Sequence, residues 1–119
     1  MTHFVVKKQI RPGVVVLKIT DSIRMGQKCK HLEDLVDEVI RQNEKWVIFD
    51  LSSVPFIDSC GVGTIVTVLG RLKNAGGTLR LTGVTEMVAG VLKLTQVTRL
   101  IEIYPSVAEA ARDLPAVAV

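Results

Sequence analysis

The chain has 119 residues, 48% of them hydrophobic, and carries 15 Lys and Arg against 12 Asp and Glu for a formal net charge of +3. That length predicts one domain spanning residues 1–119, with a core that needs no crosslinks. Cys29 and Cys60 have no metal-ligand spacing and fit a reduced, cytoplasmic setting better than a disulfide framework. The start Met1-Thr2-His3-Phe4 lacks signal-peptide blocks, and no run of about eighteen apolar residues offers a membrane span.

Phe4 to Gln9 and Val14 to Thr20 are apolar-rich runs separated by Arg11-Pro12-Gly13, a turn signal that predicts a hairpin. The β-branched run Val14-Val15-Val16 reads as a strand buried on both faces, an α/β signature. With only five aromatic residues, the core must be aliphatic. After Asp21-Ser22 the period changes. Leu32, Leu35, Val36, Val39 and Ile40 form one apolar stripe, with Glu33, Asp34, Asp37, Glu38 and Arg41 opposite, predicting a helix packed on a sheet. Trp46 to Leu51 is the next strand, and Ser52 to Ile57 reads as a loop. A second helix should begin at Asp58 or Ser59, bury Val62, Ile65, Val66, Leu69 and Leu72, and end at Asn74-Ala75-Gly76-Gly77.

Thr78 to Thr82 is a short strand, followed by a helix carrying Val88, Val91 and Leu92 and by a last strand from Leu100 to Tyr104. Ser106 and Glu109 have capping-box spacing for a final helix running to about Leu114, and residues 115–119 read as a frayed tail. The expected architecture is a single α/β domain. Its central mixed sheet has four or five strands, with about four helices mainly on one face.

The chemistry concentrates at Asp58-Ser59-Cys60-Gly61. Ser59 is expected at or beside the helix N-cap, where unpaired amides and the positive end of the helix dipole converge. Gly61 and Gly63 leave room for another backbone or a phosphate. A phosphate on Ser59 would sit in a favourable field and would repel whatever docks there. The plainer reading is a helix cap, whose removal by Ser59→Ala costs about 1 kcal/mol.

Other chemistries fail on spacing. A hydrolase elbow wants glycine where Ile57 stands, and neither His3 nor His31 is paired with Ser59. Gly61-Val62-Gly63 lacks the third glycine of a dinucleotide turn, Val66 standing there, and no Walker loop occurs. No enzyme activity, cofactor or metal is expected. Lys7, Lys8, Arg11, Lys18, Arg24, Lys28 and Lys30 give a basic first quarter, but no aromatic platform accompanies them, so direct nucleic-acid binding is not expected.

The segment from Val47 to Gly63, with Gly76-Gly77-Thr78-Leu79 and Ile103-Tyr104-Pro105-Ser106, resembles the STAS domains, which include the anti-sigma factor antagonists. The resemblance implies that Ser59 accepts phosphate and that Asp58 shapes the loop and contributes to kinase docking. It implies a partner that is both anti-sigma factor and serine kinase, of the histidine-kinase ATPase fold. That partner is bound by the unphosphorylated antagonist, so that sigma factor is freed for transcription, and is released by the phosphorylated form, which a separate phosphatase resets.

Pro55, Phe56, Ile57, Asp58, Ser59, Cys60, Gly61, Val62, Gly63 and Thr64 are the expected docking residues. Two positions depart from the family pattern. Arg24 in Asp21-Ser22-Ile23-Arg24 replaces an acid and reads as an exposed arginine, with pairing to a phosphate on Ser59 as the alternative. Cys60 replaces a serine and reads as a small, semi-buried side chain, a redox thiol being the alternative. The rival reading within the fold is a non-phosphorylated scaffold or regulatory subunit of a stressosome-type or lipid-transport ATPase complex, with Ser59 only a cap. Weak self-association is also compatible with the sequence. Gly63, Thr67 and Gly70, at helical spacing, read as sites of intramolecular packing, with approach of a partner helix as the alternative.

Overall fold

The computed structural model of the protein describes residues 4–115, so His3 and residues 116–119 of the expected tail lie outside the described residues. Strand β1 (Val5–Arg11) runs antiparallel to β2 (Val14–Ile19) through a turn in which Gly13 takes φ +85°, a conformation open to glycine. Strands β3 (Trp46–Asp50), β4 (Thr78–Thr82) and β5 (Glu102–Tyr104) follow, all parallel to β2, in the order β1-β2-β3-β4-β5. Each parallel step needs a crossover, and the helices supply it. They are α1 (Gln27–Arg41), α2 (Ser59–Asn74), α3 (Glu86–Leu94) and α4 (Val107–Ala111), with a single 3-10 turn at Val97–Arg99 before β5.

Register decides which side chains meet. Val15, Val47 and Leu79 form one row and Leu17, Phe49 and Leu81 the next, all buried under α1, α2 and α3. The stripes read from the sequence supply the other half of this core, Leu32, Val36 and Val39 from α1 and Val62, Ile65, Leu69 and Leu72 from α2. Val66 is only partly buried, and Val68 takes a core position instead. Arg71 of α2 ties the two helices on their outer side through Glu33 at 3.1 Å and Asp37 at 3.0 Å.

The opposite face of the sheet presents Val14, Val16 and Ile48 to α4, which covers them with Ala110 and Ala111. Val14-Val15-Val16 is therefore buried on both faces, as the run of valines predicts. Two arginines of the sheet hold the last turn of α4. Arg80 donates to the carbonyl of Ala110 at 2.8 Å and to Asp113 at 2.6 Å, and Arg11 donates to the carbonyls of Ala111 and, at 2.8 Å, Leu114.

Two boundaries are shorter than expected. β5 begins at Glu102 because residues 97–100 close a turn, Leu100 donating to the Val97 carbonyl at 2.8 Å. Helix α4 stops at Ala111, and Leu114 is buried beyond it in irregular chain.

Candidate functional site

Because β2, β3 and β4 are parallel, the loops leaving their C-terminal ends gather at one end of the sheet. The loop after β3 is pinned along its length. Leu51 N–H donates to the Thr82 carbonyl at 2.8 Å, Val54 N–H to the Leu51 carbonyl at 3.0 Å, and the Thr85 hydroxyl to the Val54 carbonyl at 3.1 Å. Its far end pairs with the loop after β2 in an isolated parallel bridge, Ile23 with Ile57. Ile23 N–H donates to Phe56 at 3.0 Å and Asp58 N–H returns the bond to Ile23 at 3.2 Å.

Asp58 is the N-cap of α2. Its Oδ1 accepts from Gly61 N–H at 2.9 Å and its Oδ2 accepts from Met25 N–H at 2.9 Å, so one carboxylate joins the helix to the neighbouring loop. The Met25 and Gly61 amides hold its carboxyl below the ordinary 3.8. Ser59 is the first helical residue and is exposed. The two candidates for the cap are thus resolved in favour of Asp58, and the stability expected from a Ser59 cap belongs to its neighbour. Gly61 is obligatory for another reason: a Cβ there would stand 2.5 Å from the Ile23 carbonyl oxygen and 2.6 Å from Ile57 Cγ1.

The expected docking residues divide by depth. Pro55, Ser59 and Gly63 are exposed; Phe56, Asp58 and Cys60 are half-buried; Ile57, Gly61, Val62 and Thr64 are buried and shape the surface from beneath. Arg24 is exposed, its guanidinium carbon 4.9 Å from the centroid of the Phe56 ring. Beside it Asp21, Ser22, Arg24, Met25, Gln27 and Lys28 line an open hollow of about 520 Å³. Cys29, buried on α1, donates its thiol to the Arg24 carbonyl at 3.2 Å and fixes the loop from below.

Two exposed apolar side chains at this end escaped the sequence reading, Met25 at 75% and Met87 at 57%. Met25 stands beside Asp58 through its amide bond, and Met87 opens α3 two residues after Thr85, which is bonded to the loop. Periodicity gives no signal for either. A methionine in a polar loop, between Arg24 and Gly26, is the only local hint for Met25.

Gly63, Thr67 and Gly70 all face outward, and a Cβ added at either glycine meets nothing within 4 Å. Intramolecular packing is therefore not what keeps these residues small. His31 lies exposed on α1, its ring 6.4 Å from that of Phe4. Among the described residues no cluster of His, Cys, Asp or Glu could hold a metal, and no helix is long and apolar enough to cross a membrane.

The fold recurs in known proteins. The STAS domain description matches residues 5–110. The chain belongs to the STAS domain family. A protein of Thermotoga maritima, provisionally named an anti-sigma factor antagonist, is 33% identical over 106 residues, 89% of this chain and 94% of its own; a Thermotoga neapolitana homologue is 32% identical over the same shares.

A crystal structure of a Thermotoga maritima protein of that name superposes with a TM-score of 0.84 at 28% identity, covering 93% of this chain and 94% of the other. The Bacillus cell-fate determinant SpoIIAA in its phosphorylated form shares the fold, with a TM-score of 0.71 at 16% identity over 92% of this chain and 96% of its own. STAS anti-sigma factor antagonists are regulatory binding proteins rather than enzymes.

Proposed function

We propose that this protein is a cytoplasmic anti-sigma factor antagonist that binds an anti-sigma factor kinase when Ser59 is free and releases it when Ser59 is phosphorylated. The observation that carries the reading is the division of labour at the mouth of α2. Asp58 does the capping, so the exposed Ser59 hydroxyl is left out of the fold's own hydrogen bonding at that cap. In the transfer, Ser59 Oγ attacks the γ-phosphorus of an ATP held by the kinase. The new O–P bond forms as the bond to the ADP oxygen breaks, and the hydroxyl proton passes to a base on the kinase. Hydrolysis of the ester by a phosphatase restores the binder.

The phosphate adds about −1.5 to −2 charges at a helix N-terminus, where its own fold tolerates it. A docked partner would have to desolvate and face that dianion, so the complex is weakened rather than the domain. Pro55, Phe56, Asp58, Ser59, Cys60, Gly63 and Arg24 form the surface in this reading, and Met25 and Met87 extend it as apolar anchors. The test is affinity for a candidate anti-sigma factor kinase from the same genome. Ser59→Ala should bind as the unmodified protein does, and Ser59→Asp should bind at least tenfold more weakly. Equal affinities would leave an unphosphorylated scaffold, docked through the same apolar residues, as the better account.

A further inference from the structure

We propose that Arg24 is the internal receptor for the Ser59 phosphate, its guanidinium leaving the Phe56 ring on phosphorylation and so uncovering an aromatic side chain on the docking face. This inference rests on the reading of Ser59 as the acceptor, and it adds a conformational step to what would otherwise be a change of charge alone.

The first ground is the state of the guanidinium. Among the described residues Arg24 forms no ion pair, and its contact is the face of Phe56. The two loop carboxylates whose charge it feels, Asp58 and Asp21, form no ion pair with it and are hydrogen-bonded to other groups. Asp58 spends its oxygens on the amides of Met25 and Gly61, and Asp21 is held by the Lys28 ammonium and the Ser22 amide. An exposed cation over a phenyl ring is among the weaker attractions in a protein, whereas a bidentate guanidinium–phosphate pair is among the stronger. A phosphate within reach takes the arginine from the ring.

The second ground is placement. The Ile23–Ile57 bridge puts Arg24 alongside Asp58, one residue short of Ser59, and the backbone is fixed on both sides of it. Ile23 N–H is bonded to Phe56 and Met25 N–H to Asp58, so the move is a side-chain rotation on an anchored main chain. The charges around the site are mixed, the Asp58 carboxylate opposing an anion on Ser59, so the positive groups at the mouth of α1 matter. Helix α1 has Gly26 at its N-cap, no side-chain cap and no acid in its first turn, and Lys28, paired with Asp21, lies beside Arg24 along the hollow. The competing counter-ion for Arg24 is a carboxylate on the partner, and that alternative makes a different prediction.

The test uses the full chain with phosphoserine installed at position 59 during synthesis, so that no kinase is needed. Phosphorus NMR should find the second ionisation of the phosphate lower in the Arg24 protein than in Arg24→Ala by roughly 0.5 unit, with Arg24→Lys between them. Phe56 ring signals should shift on phosphorylation in the Arg24 protein. In Arg24→Ala they should start from the shifted position and stay there. Identical phosphate titrations and ring signals in the two proteins overturn the proposal, all the more if Arg24→Ala then weakens binding of the unphosphorylated form, which places the counter-ion on the partner. The underlying reading fails separately. Phosphoserine protein that binds the kinase as tightly as the unmodified chain removes the switch, whatever Arg24 does.

Discussion

Asp58 reaches two elements with one side chain, and the consequences of losing it differ with what replaces it. Asp58→Ala leaves the Gly61 and Met25 amides without their acceptor and should destabilise the domain by about 1–2 kcal/mol in urea unfolding. Asp58→Asn retains one acceptor oxygen and should cost less, but it removes a titration. The folded-state carboxyl lies below 3.8, so its contribution is complete above the ordinary carboxylate range and is lost as pH falls through the folded value. Stability measured from pH 6 down to pH 2 should therefore fall more steeply for the Asp58 protein than for Asp58→Asn. Ser59→Ala should change stability by less than about 0.5 kcal/mol, since the hydroxyl caps nothing. Sequence alone placed the cap within one residue but left its owner open, because both Asp and Ser cap well and the deciding partner, the Met25 amide, lies 33 positions away.

At the scale of elements, α2 carries two glycines with opposite roles on one turn. Gly61 is pressed against the Ile23–Ile57 bridge, and Gly61→Ala should push that bridge apart at a cost of about 1–3 kcal/mol. Gly63 faces open space inside the helix, so Gly63→Ala should stabilise by about 0.5–1 kcal/mol through helix propensity. Thermal unfolding of the pair checks both signs, and a common sign would mean that the bridge is not what constrains Gly61.

Helices α1 and α2 were legible because their apolar stripes repeat over about three turns, and β2 and β3 because each is a dense apolar run. The ends of β5 and α4 were not. Leu100 and Leu114 are apolar residues that continue the local pattern, and only the turn at Val97–Arg99 and the irregular chain after Ala111 set the limits.

For the whole molecule, docking and stability are separated in space. The site lies at the C-terminal end of the parallel strands, while α4 closes the back of the sheet through contacts that do not involve the loops. This second layer was the least legible part. Arg80 stands in Thr-Leu-Arg-Leu-Thr, an alternation that reads as a charge facing solvent, yet it is buried because residues some thirty positions later fold over it. Five residues of helix cannot stand alone, so α4 should depend on that guanidinium.

Trp46, the single tryptophan, packs against this cluster and reports on it. Arg80→Met should cost about 1–3 kcal/mol, mainly from the Ala110 carbonyl left unpaired, since Asp113 is largely exposed and its ion pair is screened. Trp46 emission should shift to the red and the amides of residues 107–111 should exchange faster, while affinity for the kinase stays within about twofold. Arg80 lowers the Asp113 carboxyl below 3.8, but acid leaves the bond to the Ala110 carbonyl in place, so Trp46 emission should change far less as pH drops through that folded value than it does in Arg80→Met. A large loss of kinase affinity in Arg80→Met, with the fold intact, would mean that the two faces of the sheet communicate.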